Sequence, residues 1–137
     1  MPVAQYLHFD VPRPLNKFFY KYIRAAKSVE RLVAGLLKSH IRESDMACRY
    51  GGEEFMLILP DATPDGARQR AESIRILISG LDLKYNDQPL GTITASLGVA
   101  LFPQHAENAE SLIHASDEAL YEAKAAGRDR VIISKTK

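Results

Sequence analysis

Two consecutive glycines and two consecutive carboxylates, set between two strand-like segments, constrain this 137-residue chain more than any other feature. The stretch reads Arg49-Tyr50-Gly51-Gly52-Glu53-Glu54-Phe55. Met46 to Tyr50 forms a short strand pattern, and Phe55-Met56-Leu57-Ile58-Leu59 is a continuous apolar strand that Pro60-Asp61 stops. The glycines therefore belong at a hairpin tip, where a backbone without Cβ lets a ligand come close. Side chains alternate along a strand, so Glu53 and Glu54 are expected on opposite faces, with only one of them over a given site. Hard carboxylate oxygens suit Mg²⁺ carrying a nucleotide triphosphate.

The rest of the chain supplies the elements around this hairpin. Val3 to Val11 reads as a strand ended by Pro12 and Pro14, which restrict the preceding residue and donate no ladder hydrogen bond. From about Lys17 the pattern turns helical. Val29, Leu32, Val33, Leu36, Leu37 and Ile41 recur at helical spacing, with Glu30, Arg31 and Lys38 on the wet face. Thr63-Pro64 opens a second helix, with Ala67, Ala71, Ile74, Ile78 and Leu81 as its buried stripe. Tyr85 to Pro89 reads as a turn and Gly91 to Phe102 as a strand. Asn108 caps a third helix that Gly127 ends, and Val131-Ile132-Ile133 is a last strand. This β-α-β-β-α-β order, followed by one more helix and strand, predicts an α+β, ferredoxin-like fold with its site at one sheet edge.

With 46% hydrophobic residues and no low-complexity tract, residues 1–137 are expected to form one domain with one core. A net charge of +1 predicts no general attraction to nucleic acid, and no apolar run is long enough to span a membrane. No secretion signal is visible, so the cytoplasm is the expected location. The single cysteine, Cys48, excludes an internal disulfide and reads as a small core residue.

The hairpin motif resembles the signature of the GGDEF family, the diguanylate cyclases, in its Gly-Gly-Glu-Glu-Phe variant. Three further segments carry the likeness: Arg42-Glu43-Ser44-Asp45; Thr92 to Ala100, with its Thr94-x-Ser96-x-Gly98-Val99 pattern; and the run from Ala115 to Asp129. Together these cover Val29 to Ser134. The resemblance implies the palm-like fold of nucleotide cyclases and condensation of two GTP into cyclic di-GMP by a homodimer. It assigns Mg²⁺, with Mn²⁺ as the alternative, to Asp10, the Val11 carbonyl and Glu54. Glu53 is placed near the attacking 3′-hydroxyl and, with Glu54, is a catalytic candidate. Gly51, Gly52, Lys124 and Arg128 are the substrate-binding candidates, with Lys124 and Arg128 at i, i+4 on one helix face. Arg42 and Asp45 match an Arg-x-x-Asp product-inhibition site that binds cyclic di-GMP. An upstream sensory domain is also expected.

Between Pro12 and Lys27 the family pattern is lost. Pro12 replaces a second Asp, and Pro14-Leu15 stands where Phe-Lys would cradle phosphate. Phe18 and Lys27 stand where an Asn and an Asp would read guanine. Phe offers no hydrogen bond to a base edge, and Lys offers only donors. Impaired turnover is therefore expected. The alternatives are a degenerate domain that binds cyclic di-GMP through Arg42 and Asp45, or a non-catalytic interaction domain. Only nine residues precede Asp10, where the family carries a further helix, and the face left bare is expected to drive self-association.

Overall fold

In a computed structural model, the residues described are 3–10, 31–51, 54–60, 62–85 and 87–135. Strand β1, Val3–Asp10, is followed by helix α1 over residues 31–40 and by the hairpin strands β2, Met46–Gly51, and β3, Glu54–Ile58. Helix α2, Pro64–Ser79, leads into a small hairpin of β4, Leu83–Tyr85, and β5, Gln88–Gly91. Strand β6, Thr94–Leu101, helix α3, Ala109–Ala125, and strand β7, Val131–Ile133, complete the order. Five strands form one sheet in the order β2-β3-β1-β6-β7, with only the β6–β7 pair parallel. This is the expected palm-like arrangement.

The period-2 pattern of the strands sorts the core onto two faces. Phe55 and Leu57 of β3, with Ala95, Leu97, Val99 and Leu101 of β6, pack against Val33 and Leu37 of α1 and Ala67, Ala71, Ile74 and Ile78 of α2. The other face carries α3. Met56 meets Leu120, and Ala100 meets Leu112 and Ala115.

The starts of α2 and α3 follow from side-chain caps. Thr63 Oγ1 accepts from the Gly66 N–H at 3.0 Å, with Pro64 as the first helical residue. Asn108 Oδ1 accepts from the Ser111 N–H at 2.8 Å while Ser111 Oγ accepts from the Asn108 N–H, a reciprocal capping box. Helix α3 ends with Gly127 at φ +119°, and the Arg128 N–H reaches back to the Ala123 carbonyl at 3.0 Å.

Several expectations from the pattern are corrected. Cys48 is exposed and not in the core. It pairs with Met56 on the outermost strand β2, while α3 lies over β1 and β6 and leaves that edge open. Leu32 is 46% exposed because Val33 and Leu37, one helical turn apart, take the buried line of α1. The segment from Tyr85 to Pro89 contributes to both strands of the β4–β5 hairpin, so the turn is shorter than expected. Gly91, at φ +86°, ends that hairpin, and the long strand starts only at Thr94. Among the described residues no helix is long and apolar enough to cross a membrane.

Candidate functional site

Strand and helix periods together bring Glu54 to Lys124. Glu54 and Met56 are two residues apart on β3, an advance of about 6.6 Å. Leu120 and Lys124 are four apart on α3, an advance of about 6 Å. With Met56 packed on Leu120, the next step along each element sets Glu54 opposite Lys124. The Lys124 Nζ to Glu54 Oε1 distance is 3.5 Å, with the side chains 26% and 31% exposed. The motif carboxylate and the motif cation, 70 positions apart in sequence, thus meet at one end of the sheet.

Asp10 belongs to the same end. His8 of β1 is in register with Glu54, and Asp10 lies two residues further on, where it is in register with Thr94 of β6. Gly51 pairs with Glu54 across the hairpin, after a register shift between Arg49 and Gly51. Val11, Gly52 and Glu53 lie outside the described residues. Among the described residues no group of three or more His, Cys, Asp or Glu gathers into a metal cluster.

Arg128 differs from its expected place. The helix has ended before it, so Arg128 does not share a helical face with Lys124. It sits in the left-handed region at φ +64°, followed by Asp129 at +47°. Two successive non-glycine residues in that region are costly and need outside support. Arg75 of α2 supplies it, with Nη1 donating to Asp129 Oδ1 at 2.8 Å while the rest of its guanidinium engages Glu72. Hydrogen bonds to Glu72 and then Asp129 hold the Arg75 guanidinium above the usual arginine range. No pattern along the chain marks this role, because Arg75 and Asp129 are 54 positions apart.

Arg42 and Asp45 form the turn between α1 and β2. The Asp45 side chain is fully buried, and its Oδ2 accepts from the Arg42 N–H at 2.7 Å and from Arg70 Nη1 at 2.7 Å. Arg42 Nε stays 3.7 Å from the same oxygen, on a side chain 59% exposed. Burial alone would raise the Asp45 pKa. The hydrogen bonds from Arg42 and Arg70, with the charges of both, outweigh it and hold the carboxyl below its ordinary 3.8. Because the folded value is the lower one, Asp45 stabilises the fold at neutral pH. That contribution fades as pH falls from about 4 through the folded value. Asp45→Ala is expected to cost about 2 kcal/mol, since it leaves the part-buried Arg42 N–H and Arg70 Nη1 without their acceptor. The check is denaturant unfolding at pH 7 and pH 3, where the gap between wild type and variant should narrow.

Comparison with known proteins identifies the family. The family model "Diguanylate cyclase, GGDEF domain" matches residues 28–130. The chain belongs to the GGDEF family. Diguanylate cyclase DgcP of Pseudomonas aeruginosa is 36% identical over 110 residues, 80% of this chain and 16% of that protein. Diguanylate cyclase VdcA of Vibrio cholerae is 46% identical over 104 residues, 74% of this chain and 30% of that protein. The chain therefore spans less than a third of either relative. Among solved structures, the coiled coil and GGDEF domain of DgcB from Caulobacter crescentus, in complex with c-di-GMP, superposes with a TM-score of 0.85. It is 29% identical, over 97% of this chain and 69% of that one. The active GGEEF domain of a diguanylate cyclase from Vibrio cholerae gives 0.79 at 26% identity, over 100% of this chain and 85% of that one.

Proposed function

We propose that this GGDEF domain condenses two GTP molecules into cyclic di-GMP as a homodimer, each protomer holding one GTP. In each condensation step the 3′-hydroxyl of one nucleotide attacks the α-phosphate of the other, loses its proton and displaces pyrophosphate. The observation that carries the reading is the 3.5 Å approach of Lys124 to Glu54. A carboxylate beside a cation at a glycine hairpin is what a metal-bound triphosphate requires: one group for the metal, one for the phosphate oxygens. Glu54 would offer one of the hard oxygen donors that Mg²⁺ or Mn²⁺ takes, and the family resemblance adds Asp10 and the Val11 carbonyl. The bound ion would offset charge on the phosphates. Lys124 and Arg128 would hold the phosphate oxygens, Gly51 and Gly52 would let them approach the backbone, and Glu53 would stand near the 3′-hydroxyl.

Turnover is slow in this reading, because Phe18 and Lys27 replace the polar residues that would select guanine. The site chemistry belongs to the cytoplasm, where GTP and Mg²⁺ are available. An upstream sensory domain that drives the cyclase belongs to the same reading. The test is chromatographic detection of cyclic di-GMP after concentrated protein is incubated with GTP and Mg²⁺. Product is expected, in small yield; its absence over a long incubation would overturn the cyclase reading.

A second reading is favoured by the turn at Arg42. Asp45 is fixed by its two hydrogen bonds while Arg42 is largely exposed, so a held carboxylate and an outward guanidinium share one turn. A domain without turnover could still bind cyclic di-GMP there.

A further inference from the structure

The turn holds one carboxylate and two guanidiniums, and their distances divide the carboxylate unequally. Arg70, on α2, is 20% exposed and touches Asp45 Oδ2 at 2.7 Å, whereas Arg42 Nε is 3.7 Å from it, too far for a hydrogen bond. Arg70 Nη2 also donates to the His40 carbonyl at the end of α1, at 3.2 Å. That second contact fixes the guanidinium plane, so Asp45 is presented with a rigid donor. Among the described residues Asp45 Oδ1 has no hydrogen-bond partner, so the carboxylate is held through a single oxygen.

Without Arg70, this balance would change. Arg42 and Asp45 are three residues apart on one turn, and a buried carboxylate with no other cation would draw the Arg42 guanidinium onto itself. A fork closed on Asp45 would have to open before it could bind anything else. With Arg70 in place, the charge of Asp45 is already compensated and a second positive charge remains at the surface. Guanine O6 and N7 are a bidentate match for such a fork, as are two phosphate oxygens.

We propose that Arg70 is a positioning residue for cyclic di-GMP. It takes the Asp45 carboxylate and so keeps the Arg42 guanidinium available to the dinucleotide. The inference rests on the reading of Arg42 and Asp45 as a cyclic di-GMP site, and it adds a residue from a different helix to that site. A bland structural role, tying α2 to the end of α1, makes a different forecast: loss of Arg70 would lower stability without touching the chemistry of Arg42.

The test is calorimetric titration of cyclic di-GMP into the wild-type chain and into the Arg42→Ala, Arg70→Gln and Arg70→Lys variants. It is paired with the NMR signal of the Arg42 Nε–H. Arg42→Ala is expected to abolish binding. Arg70→Gln, which keeps the stem but not the charge, should weaken it about tenfold and shift the Arg42 Nε–H signal as the carboxylate closes on it. Arg70→Lys, which keeps the charge, should stay within about threefold of wild type. Wild-type affinity in Arg70→Gln, or an unmoved Arg42 signal, would overturn the role of Arg70 while leaving the site itself standing. An equal loss in the Lys variant would also overturn it, and that variant decides the matter if the Gln variant fails to fold. A wild-type chain that does not bind cyclic di-GMP would overturn the underlying site and the proposal together.

Discussion

Gly98→Ala is expected to destabilise the domain by about 3 kcal/mol or more, the upper end of what overpacking a core costs. The reason lies in how α3 seats on β6. A Cβ at position 98 would fall 2.2 Å from the Ser116 carbonyl oxygen and 2.3 Å from the Leu120 nitrogen. Both are helix backbone atoms, so no rotamer change can relieve the clash and the whole helix must lift. The helix is built for this closeness, with Ala115, Ser116, Ala119 and Ala123 buried along the same face. A stability of about 5–15 kcal/mol leaves little margin for such a loss. Lifting α3 would also carry Lys124 away from Glu54, so under the proposed function nucleotide binding should fall along with thermal stability. Urea unfolding monitored by circular dichroism checks the first effect, and a midpoint equal to wild type would mean that the helix can shift at little cost.

The part of this architecture that local pattern specifies was legible along the chain. Helical spacing locates α1 and α2, apolar runs bounded by turn residues locate β1, β2, β3 and β7, and a cap with a closing glycine bounds α3, because such local signals record where an element starts, stops and is buried. They do not record which strand ends up outermost. Cys48 sits in an apolar-looking segment, yet β2 is an edge and α3 does not reach it. For the same reason the pairing of Arg70 with Asp45 and of Arg75 with Asp129 could not be read, since each joins elements far apart in sequence. The candidate site was more legible than these contacts. Two motifs carry the resemblance that singles out Glu54 and Lys124, and the fold brings them within 3.5 Å. Its spacing of four from Lys124 predicts Arg128 on the same helical face. The glycine one position earlier ends the helix and sends Arg128 into the left-handed region, and spacing alone cannot foresee that.

Replacing Glu54 by Gln should separate the chemical role of this carboxylate from a structural one. As an ion pair, Glu54 and Lys124 are 3.5 Å apart and roughly a quarter to a third exposed, and such pairs contribute about 0–1 kcal/mol. Glu54→Gln has nearly the same shape and removes one charge, so the unfolding midpoint should barely move. As a metal ligand, the same carboxylate would contribute to several kcal/mol of charge stabilisation on the transferring phosphate. Its loss should then reduce cyclic di-GMP formation by about 100-fold or more. Titration of GTP with and without Mg²⁺ gives a second readout that needs no turnover. Wild type should bind GTP more tightly with the metal, and Glu54→Gln should lose most of that difference. A variant that keeps both its metal dependence and its rate of product formation would remove Glu54 from the metal site and reduce its contact with Lys124 to a surface ion pair. A variant that keeps its fold and loses both would tie the hairpin carboxylate to the nucleotide chemistry.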